Sequence, residues 1–509
     1  MFSSVLSGGV HGIDCYLVCV EADIAEGMPM FELVGYLGSE VREARERVRT
    51  ALRNAGFLMP VKRVTVNLSP ANIKKRGTGF DLPVAVSILI AMEKIKEQSV
   101  ADTVIAGELL LSGKVSGIRG ILPIVLAAKK AGYRRCIIPK DNAGEGSVVD
   151  GIEIVGVESL MQLADYLRGT RAIVQEPPLG NKLPGSKAGY GCDLKDVQGQ
   201  RLVKRGLEIA AAGMHNVLML GPPGAGKTML ARCIPTILPP LSMEECLEVS
   251  AIYSVAGRLG GSNTLITERP FVNPHHTATD KALTGGGVNL HPGSISLAHR
   301  GVLFLDEMPE FSKTALEVLR QPLEDKCIHI TRSSGSCTYP ADFMLVGTLN
   351  PCPCGAYPDL AKCTCSETER RRYMGKLSKP LLDRMDLCME VPQIKIHELM
   401  KKQEAESSMA VRERVIKAQK IQEARLSAAA NNLFFNSQMR DKEMNVYCPL
   451  KESGKKLMEE AFHRLNLSAR AYYRILKVAR TIADLDHAGQ IDEYHLTEAI
   501  HFKFHIDDF

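Results

Sequence analysis

Eight consecutive residues, Gly221-Pro222-Pro223-Gly224-Ala225-Gly226-Lys227-Thr228, carry the clearest chemistry in this chain. Their pattern is G-x-x-x-x-G-K-[ST], in which the glycines let backbone N–H groups turn inward around a β-phosphate. Lys227 would set a point charge beside the β- and γ-oxygens, and the Thr228 hydroxyl would ligate Mg²⁺. Further along stand Asp306-Glu307. Asp306 is placed to hold the Mg²⁺ through water, and Glu307 to orient and deprotonate an attacking water. Asn350 adds a neutral polar group suited to sensing a γ-phosphate.

Each of these groups follows an apolar run that reads as a buried parallel strand: Val217–Leu220, Val302–Leu305 and Phe343–Leu349. After the first, Met229–Arg232 is compatible with a helix, whose N-terminal dipole would face the phosphates. Open α/β sheets bind ligands at the carboxyl ends of their strands, and all three groups lie at such ends. The expectation is an α/β nucleoside-triphosphatase core using ATP and Mg²⁺.

Cys352, Cys354, Cys363 and Cys365 form a C-x-C … C-x-C set just beyond Asn350. Four thiolates that converge make a closed tetrahedral zinc site with no open position for catalysis. Gly355 and Pro358 between the pairs can turn the chain back on itself. The alternative is four reduced cysteines without metal.

At 509 residues the chain is too long for one core, and two to four domains are expected. Its 45% hydrophobic and 24% charged content is that of a soluble globular protein, and a net charge of +5 permits nucleic-acid patches without requiring them. The longest apolar run, Phe80 to Met92, is interrupted by Asp81 and Pro83 and falls short of the ~20 residues of a membrane span. The N-terminus lacks the form of a secretory signal, so a cytoplasmic protein with reduced thiols and no membrane partner is expected.

Strand-like runs (Tyr16–Val20, Arg63–Leu68) alternate with helical ones (Glu40–Asn54, Pro83–Lys94) before Arg168. Gln175 to Leu194 is rich in Pro, Gly, Lys and Asn and reads as a linker. Ile396 to Ala430 is helix-forming, and a helical segment closes the chain. The expected domains are 1–170, a linker at 171–195, a core at 196–395 and a helical extension with lid at 396–509.

These motifs and their surroundings resemble the YifB/ComM family of magnesium-chelatase-like AAA+ ATPases across nearly the whole chain. The matching stretches include Asp196–Gln200, the phosphate loop, Pro274–Thr277, Gly285–Gly287, Leu319–Glu324, Asn350–Gly355 and Leu381–Arg384. The resemblance implies a P-loop AAA+ parallel sheet with a helical C-terminal lid, preceded by an α+β domain like the Lon proteolytic domain. It implies a homo-hexameric ring in which Arg384 is the arginine finger reaching a neighbour's γ-phosphate. It also implies that Arg470 is the lid's second sensor and that Gly199 and Gln200 pack over the nucleotide base. Arg474 and Arg480, on nearby helix turns, could substitute for Arg470. An ion pair of Arg384 with Asp383 or Asp386 is the alternative to the finger.

Gly107–Val115, Ala127–Gly132 and Ile137–Lys140 carry the likeness to the Lon proteolytic domain. The turn that should hold the nucleophilic serine reads Arg76-Gly77-Thr78-Gly79-Phe80-Asp81, and the catalytic lysine's position falls on Leu122. Catalysis needs both nucleophile and base, so the domain is expected to be an inactive scaffold. Lys74-Lys75-Arg76 before the turn reads as a basic surface cluster.

Ile328–Arg332 and Thr338–Ala341 flank Ser333–Ser336 and predict a hairpin, which in this family would point into a ring's pore. Arg332 could there contact phosphates, which give affinity without sequence information. Arg370-Arg371-Arg372 with Lys376 and Lys379 is the densest basic run, and His275, His276, His291 and His299 lack carboxylates at metal-binding spacing. The function implied is a DNA-binding helicase or branch-migration motor in recombination or natural transformation. The alternatives are a remodelling chaperone like the chelatase ATPase subunit and an ATP-dependent protease.

Overall fold

The computed structural model describes residues 1–177, 191–259, 264–287, 290–332, 335–393, 405–427, 433–465 and 467–503. The expected linker falls largely outside the described residues, as does the start of the 396–430 helical segment.

The amino-terminal part is built on a seven-stranded sheet. Its spatial order is Met30–Val34, Arg63–Ser69, Asp14–Ala25, Phe2–His11, Thr103–Ile105, Arg135–Pro139 and Glu153–Val157. Gly12, at φ +65°, turns the first two strands into a long antiparallel hairpin. Helix Ser39–Asn54 buries Val41, Ala44, Val48, Ala51 and Leu52, the three-and-four spacing of an amphipathic helix. The predicted buried helix spans Asp81–Ala91 and ends before Lys94; every residue in it is buried. Burial of Asp81 is offset by Arg47, which donates to both carboxylate oxygens at 2.7 and 2.9 Å. Lys75 corrects the expected surface cluster: it is fully buried, and its ammonium donates to the Pro70 carbonyl.

The core is a second, all-parallel sheet ordered Phe271–Val272, Val302–Leu305, Met344–Leu349, Val217–Leu220, Leu387–Glu390. The three strands predicted from apolar runs are its middle members and are buried throughout. Helices Arg201–Gly213 and Lys227–Ile237 cover one face.

Beyond it come helices Ser408–Leu426, Asp441–Tyr447, Glu452–Arg464, Ala469–Leu485 and Glu493–His501. They do not form a separate core: Val415, Ala418, Ile475 and Ile482 share one apolar cluster with Leu207, Ile234 and Val346. A buried ionic knot, Arg425 and Arg480 on Asp484, joins two of these helices. The amino-terminal domain docks on the core through His11 Nε2 and the Ser336 carbonyl at 2.6 Å, the Gly120 N–H and the Ser254 carbonyl at 3.2 Å, and Ser254 Oγ on Glu145.

Candidate nucleotide site

The phosphate loop leaves strand Val217–Leu220 and enters helix Lys227–Ile237 at its first residue. Gly224 and Gly226 have φ of +77° and +88°, conformations that favour glycine. A side chain added at either would meet nothing within 4 Å, so the glycines answer a backbone requirement and border open space. Gly221 answers a steric one: a Cβ there would lie 2.3 Å from the Val391 carbonyl oxygen.

Around the loop the predicted residues converge. Lys227 Nζ donates to the carbonyls of Gly221 and Pro222 at 2.5 and 2.9 Å and to Asn350 Oδ1 at 3.0 Å. Burial lowers the Lys227 pKa, while Asp306 and Glu307 pull it up. Thr228 Oγ1 donates to Asp306 Oδ2 at 3.0 Å, which puts both expected Mg²⁺ ligands together. Glu307 follows on an exposed turn at φ +52°, free of the buried strand. An open cradle of glycine backbone, a lysine and a hydroxyl–carboxylate pair fits Mg²⁺–triphosphate.

Thr348 was not singled out from the sequence. Its buried hydroxyl donates to Asp306 Oδ1 at 2.5 Å and accepts the Glu307 N–H at 2.9 Å, so it positions both acidic residues at once. The available signal was a hydroxyl two residues before Asn350 in an otherwise apolar strand. Gly199 and Gln200 take left-handed conformations just before helix Arg201–Gly213. Gln200 Nε2 donates to the Pro392 carbonyl at 2.7 Å, and its Oε1 is buried without a hydrogen-bond partner among the described residues.

Arg384 lies in another environment. It is 5% exposed, donates to the Pro380 carbonyl at 2.5 Å and pairs with Glu324, not with Asp383 or Asp386. It lines a cavity of about 630 Å³ together with Arg320, Glu324 and Arg332. Arg470 is exposed on the first turn of helix Ala469–Leu485, and its charge is felt at Arg384. Its two possible substitutes are committed elsewhere: Arg474 to Asp386 and Arg480 to Asp484.

The four cysteines do meet. Their sulfurs all lie within 4.8 Å of one another, with Cys352 3.3 Å from Cys354 and both 3.7 Å from Cys363. Backbone N–H groups of Ala356 and Thr364 point at Cys354 and bring its thiol down to about 6. Among the described residues no histidine belongs to such a group; His299 pairs with Glu248 and His275 with Thr277. Arg370 stacks on the Tyr357 ring at 4.2 Å, and Arg371 and Lys376 pair with Glu367 and Glu310.

The hairpin is present as Cys327–Arg332 against Gly335–Pro340, with Arg332 exposed; its tip, Ser333 and Ser334, is outside the described residues. In the amino-terminal domain, Thr78 and the turn around it border a cavity of about 330 Å³ shared with Arg119, Val255 and His291. Leu122 is fully buried.

Known families match the chain in three stretches. Residues 193–399 match the family described as magnesium chelatase, subunit ChlI, residues 20–142 subunit ChlI of Mg-chelatase, and residues 405–503 the subunit ChlI C-terminal family. Fold and matches together define a magnesium-chelatase-like AAA+ module with its helical carboxyl-terminal region. At full length the chain is 41% identical to the competence protein ComM of Haemophilus influenzae over 502 residues, covering 98% of this chain and 97% of ComM. It is 40% identical to YifB of Escherichia coli over 494 residues (97% and 95%) and 42% identical to an uncharacterised Mycobacterium tuberculosis protein over 480 residues (94% of each). The chain belongs to the YifB/ComM family of magnesium-chelatase-like AAA+ proteins. Among the described residues no helix is long and apolar enough to cross a membrane.

Proposed function

We propose that this protein is a Mg²⁺-dependent ATPase working as a homo-hexameric ring that binds and translocates DNA, as a helicase or branch-migration motor. The supporting observation is two sets of hydrogen bonds of 2.5–3.0 Å at the ends of three parallel strands, Lys227 to Asn350 and both Thr228 and Thr348 to Asp306. When bound, Mg²⁺ would neutralise charge on the phosphates from Thr228 and Asp306. Lys227 holds the β- and γ-oxygens, and Glu307 takes a proton from the attacking water. Asn350 reports the γ-phosphate to the strand that carries it. Gly199 and Gln200 lie over the base, where the unpartnered Gln200 Oε1 would accept from an exocyclic amine.

Arg384 acts on a neighbour's γ-phosphate, with Arg470 beside it. In a ring the cavity that Arg384 borders becomes a subunit junction, and Arg384 must leave Glu324 to act. The domains are the inactive Lon-like unit 1–170, linker 171–195, ATPase core 196–395 and lid region 396–509, and the four cysteines hold zinc. DNA is favoured as substrate because the full-length relative ComM is named a competence protein and Arg332 stands exposed on the core hairpin. A remodelling chaperone is the second reading, supported by the chelatase family matches. ATPase activity measured with and without single-stranded, duplex and four-way DNA separates them. Stimulation by DNA is expected, and a hydrolysis rate indifferent to all three would favour the chaperone.

A further inference from the structure

The cysteine loop touches the nucleotide site at two points. A methyl group at Gly355, between the two cysteine pairs, would sit 2.4 Å from Pro223 Cδ of the phosphate loop. At the other end, Cys352 follows Asn350 by two residues, and Asn350 receives the Lys227 ammonium at 3.0 Å. Gly355 itself has φ +78°, so no other residue adopts that contact without strain.

Tetrahedral zinc with ligands at about 2.3 Å requires sulfurs about 3.8 Å apart, and two of the three short separations are 3.7 Å. Cys352 is buried while Cys354 is exposed, so the cluster runs from the core to the surface beside the loop. Among the described residues this is the one group of three or more His, Cys, Asp or Glu side chains whose ligand atoms converge. Without a metal, a fourteen-residue stretch from Cys352 to Cys365 would hold this path chiefly by its turns and the Tyr357–Arg370 stack.

We infer that zinc at Cys352, Cys354, Cys363 and Cys365 is a clamp on the nucleotide site, fixing Gly355 against Pro223 and Asn350 against Lys227. The inference rests on the zinc and ATPase readings and adds the coupling between them. The metal has no open coordination position, so its effect is on nucleotide affinity and loop geometry, not on the chemical step.

Three proteins test it: wild type, Cys363→Ser and Gly355→Ala. Zinc content is measured by atomic emission, and affinity by titrating a fluorescent ADP analogue at fixed Mg²⁺. Wild type should carry about one zinc per chain. Cys363→Ser should lose the metal and bind ADP several-fold more weakly. Gly355→Ala should keep its zinc and still weaken ADP, because it presses on Pro223 without removing a ligand. Zinc-free Cys363→Ser together with Gly355→Ala, both at wild-type ADP affinity, would overturn the clamp while leaving the zinc site standing. Metal-free wild type that binds ADP would remove the zinc reading and the clamp with it, and wild type that binds zinc without ADP would remove the nucleotide reading. Should Cys363→Ser not fold, Gly355→Ala decides the coupling alone.

Discussion

Asn350 Oδ1 accepts a hydrogen bond from Lys227 Nζ at 3.0 Å, tying the end of strand Met344–Leu349 to the phosphate loop across the site where phosphates would enter. In the same small volume Lys227 is held by two loop carbonyls, so a triphosphate must take over contacts that the protein now makes to itself. Removing Lys227 therefore differs from removing Glu307. Lys227→Ala should abolish ATP binding. Glu307→Gln should bind ATP and lower turnover by roughly 10²–10⁴-fold, the usual worth of a general base. Isothermal titration and a phosphate-release assay separate the two; near-normal turnover in Glu307→Gln would remove that residue from the mechanism.

Thr348 offers a test that the sequence did not suggest. Thr348→Val keeps the shape but leaves the Glu307 N–H and Asp306 Oδ1 without their shared hydroxyl. Leaving a polar group unpaired costs on the order of 1–3 kcal/mol. The expected result is a reduced kcat with Mg²⁺-ATP binding retained. A variant with wild-type kcat would show that the acidic turn holds its geometry without this bond.

What could be read from the chain and what could not follow one physical divide. The middle strands of the ATPase sheet were legible because burial on both faces demands uninterrupted apolar runs, as in Val217–Leu220 and Val302–Leu305. Its outer strands were not, because Phe271–Val272 is too short to show a period and Leu387–Glu390 is a four-residue run that ends in an exposed glutamate. The phosphate loop and acidic turn were legible as local motifs. The role of Thr348, the pairing of Arg384 with Glu324 and the burial of Lys75 depend on contacts between distant segments, which no local pattern encodes.

Arg384 should act between subunits. Mixing Arg384→Ala with Lys227→Ala subunits should recover part of the ATPase activity lost by each, since one retains a working loop and the other a working finger. Glu324→Gln should ease release of Arg384 from its present ion pair. If well-mixed assemblies recover nothing, the finger does not work in trans.

Asp386 joins the segment that carries Arg384 to helix Ala469–Leu485. It accepts the Asn216 N–H at 2.9 Å and pairs with Arg474, which also donates to the Arg384 carbonyl at 2.9 Å. Burial alone would raise the Asp386 pKa, but Arg474 and His215 hold it well below the usual carboxylate range. A carboxylate with a lowered folded pKa stabilises the fold above its unfolded value of about 3.9, and the contribution fades as pH falls from there toward the folded value. Asp386→Ala should cost about 3 kcal/mol near neutral pH, the lower end for a broken buried pair, because Arg474 is only part-buried and stays in touch with water. Denaturant melts from pH 7 to pH 2.5 should show the gap between variant and wild type narrowing only in the acid range; a gap independent of pH would mean Asp386 contributes by shape, not charge.

DNA binding should be independent of sequence and strongly dependent on salt, because the exposed candidates are Arg and Lys side chains suited to phosphates. Each phosphate neutralised releases condensed counterions, so log affinity should fall linearly with log salt, by roughly 0.9 per contact on duplex and 0.7 on single strands. Arg332 is exposed at the end of its strand, and Gly286, in the short antiparallel pair of Gly285–Gly286 with His291–Pro292, approaches its guanidinium. Arg332→Ala should lower that slope and reduce the stimulation of ATP hydrolysis by DNA; because Arg332 also lines the Arg384 cavity, stimulation is taken relative to the variant's own basal rate. Fluorescence anisotropy across a salt series, paired with DNA-stimulated ATPase rates, measures both effects. An unchanged slope with undiminished stimulation would exclude this hairpin from the DNA path, and an assembled protein without DNA affinity at low salt would bring the chaperone reading forward.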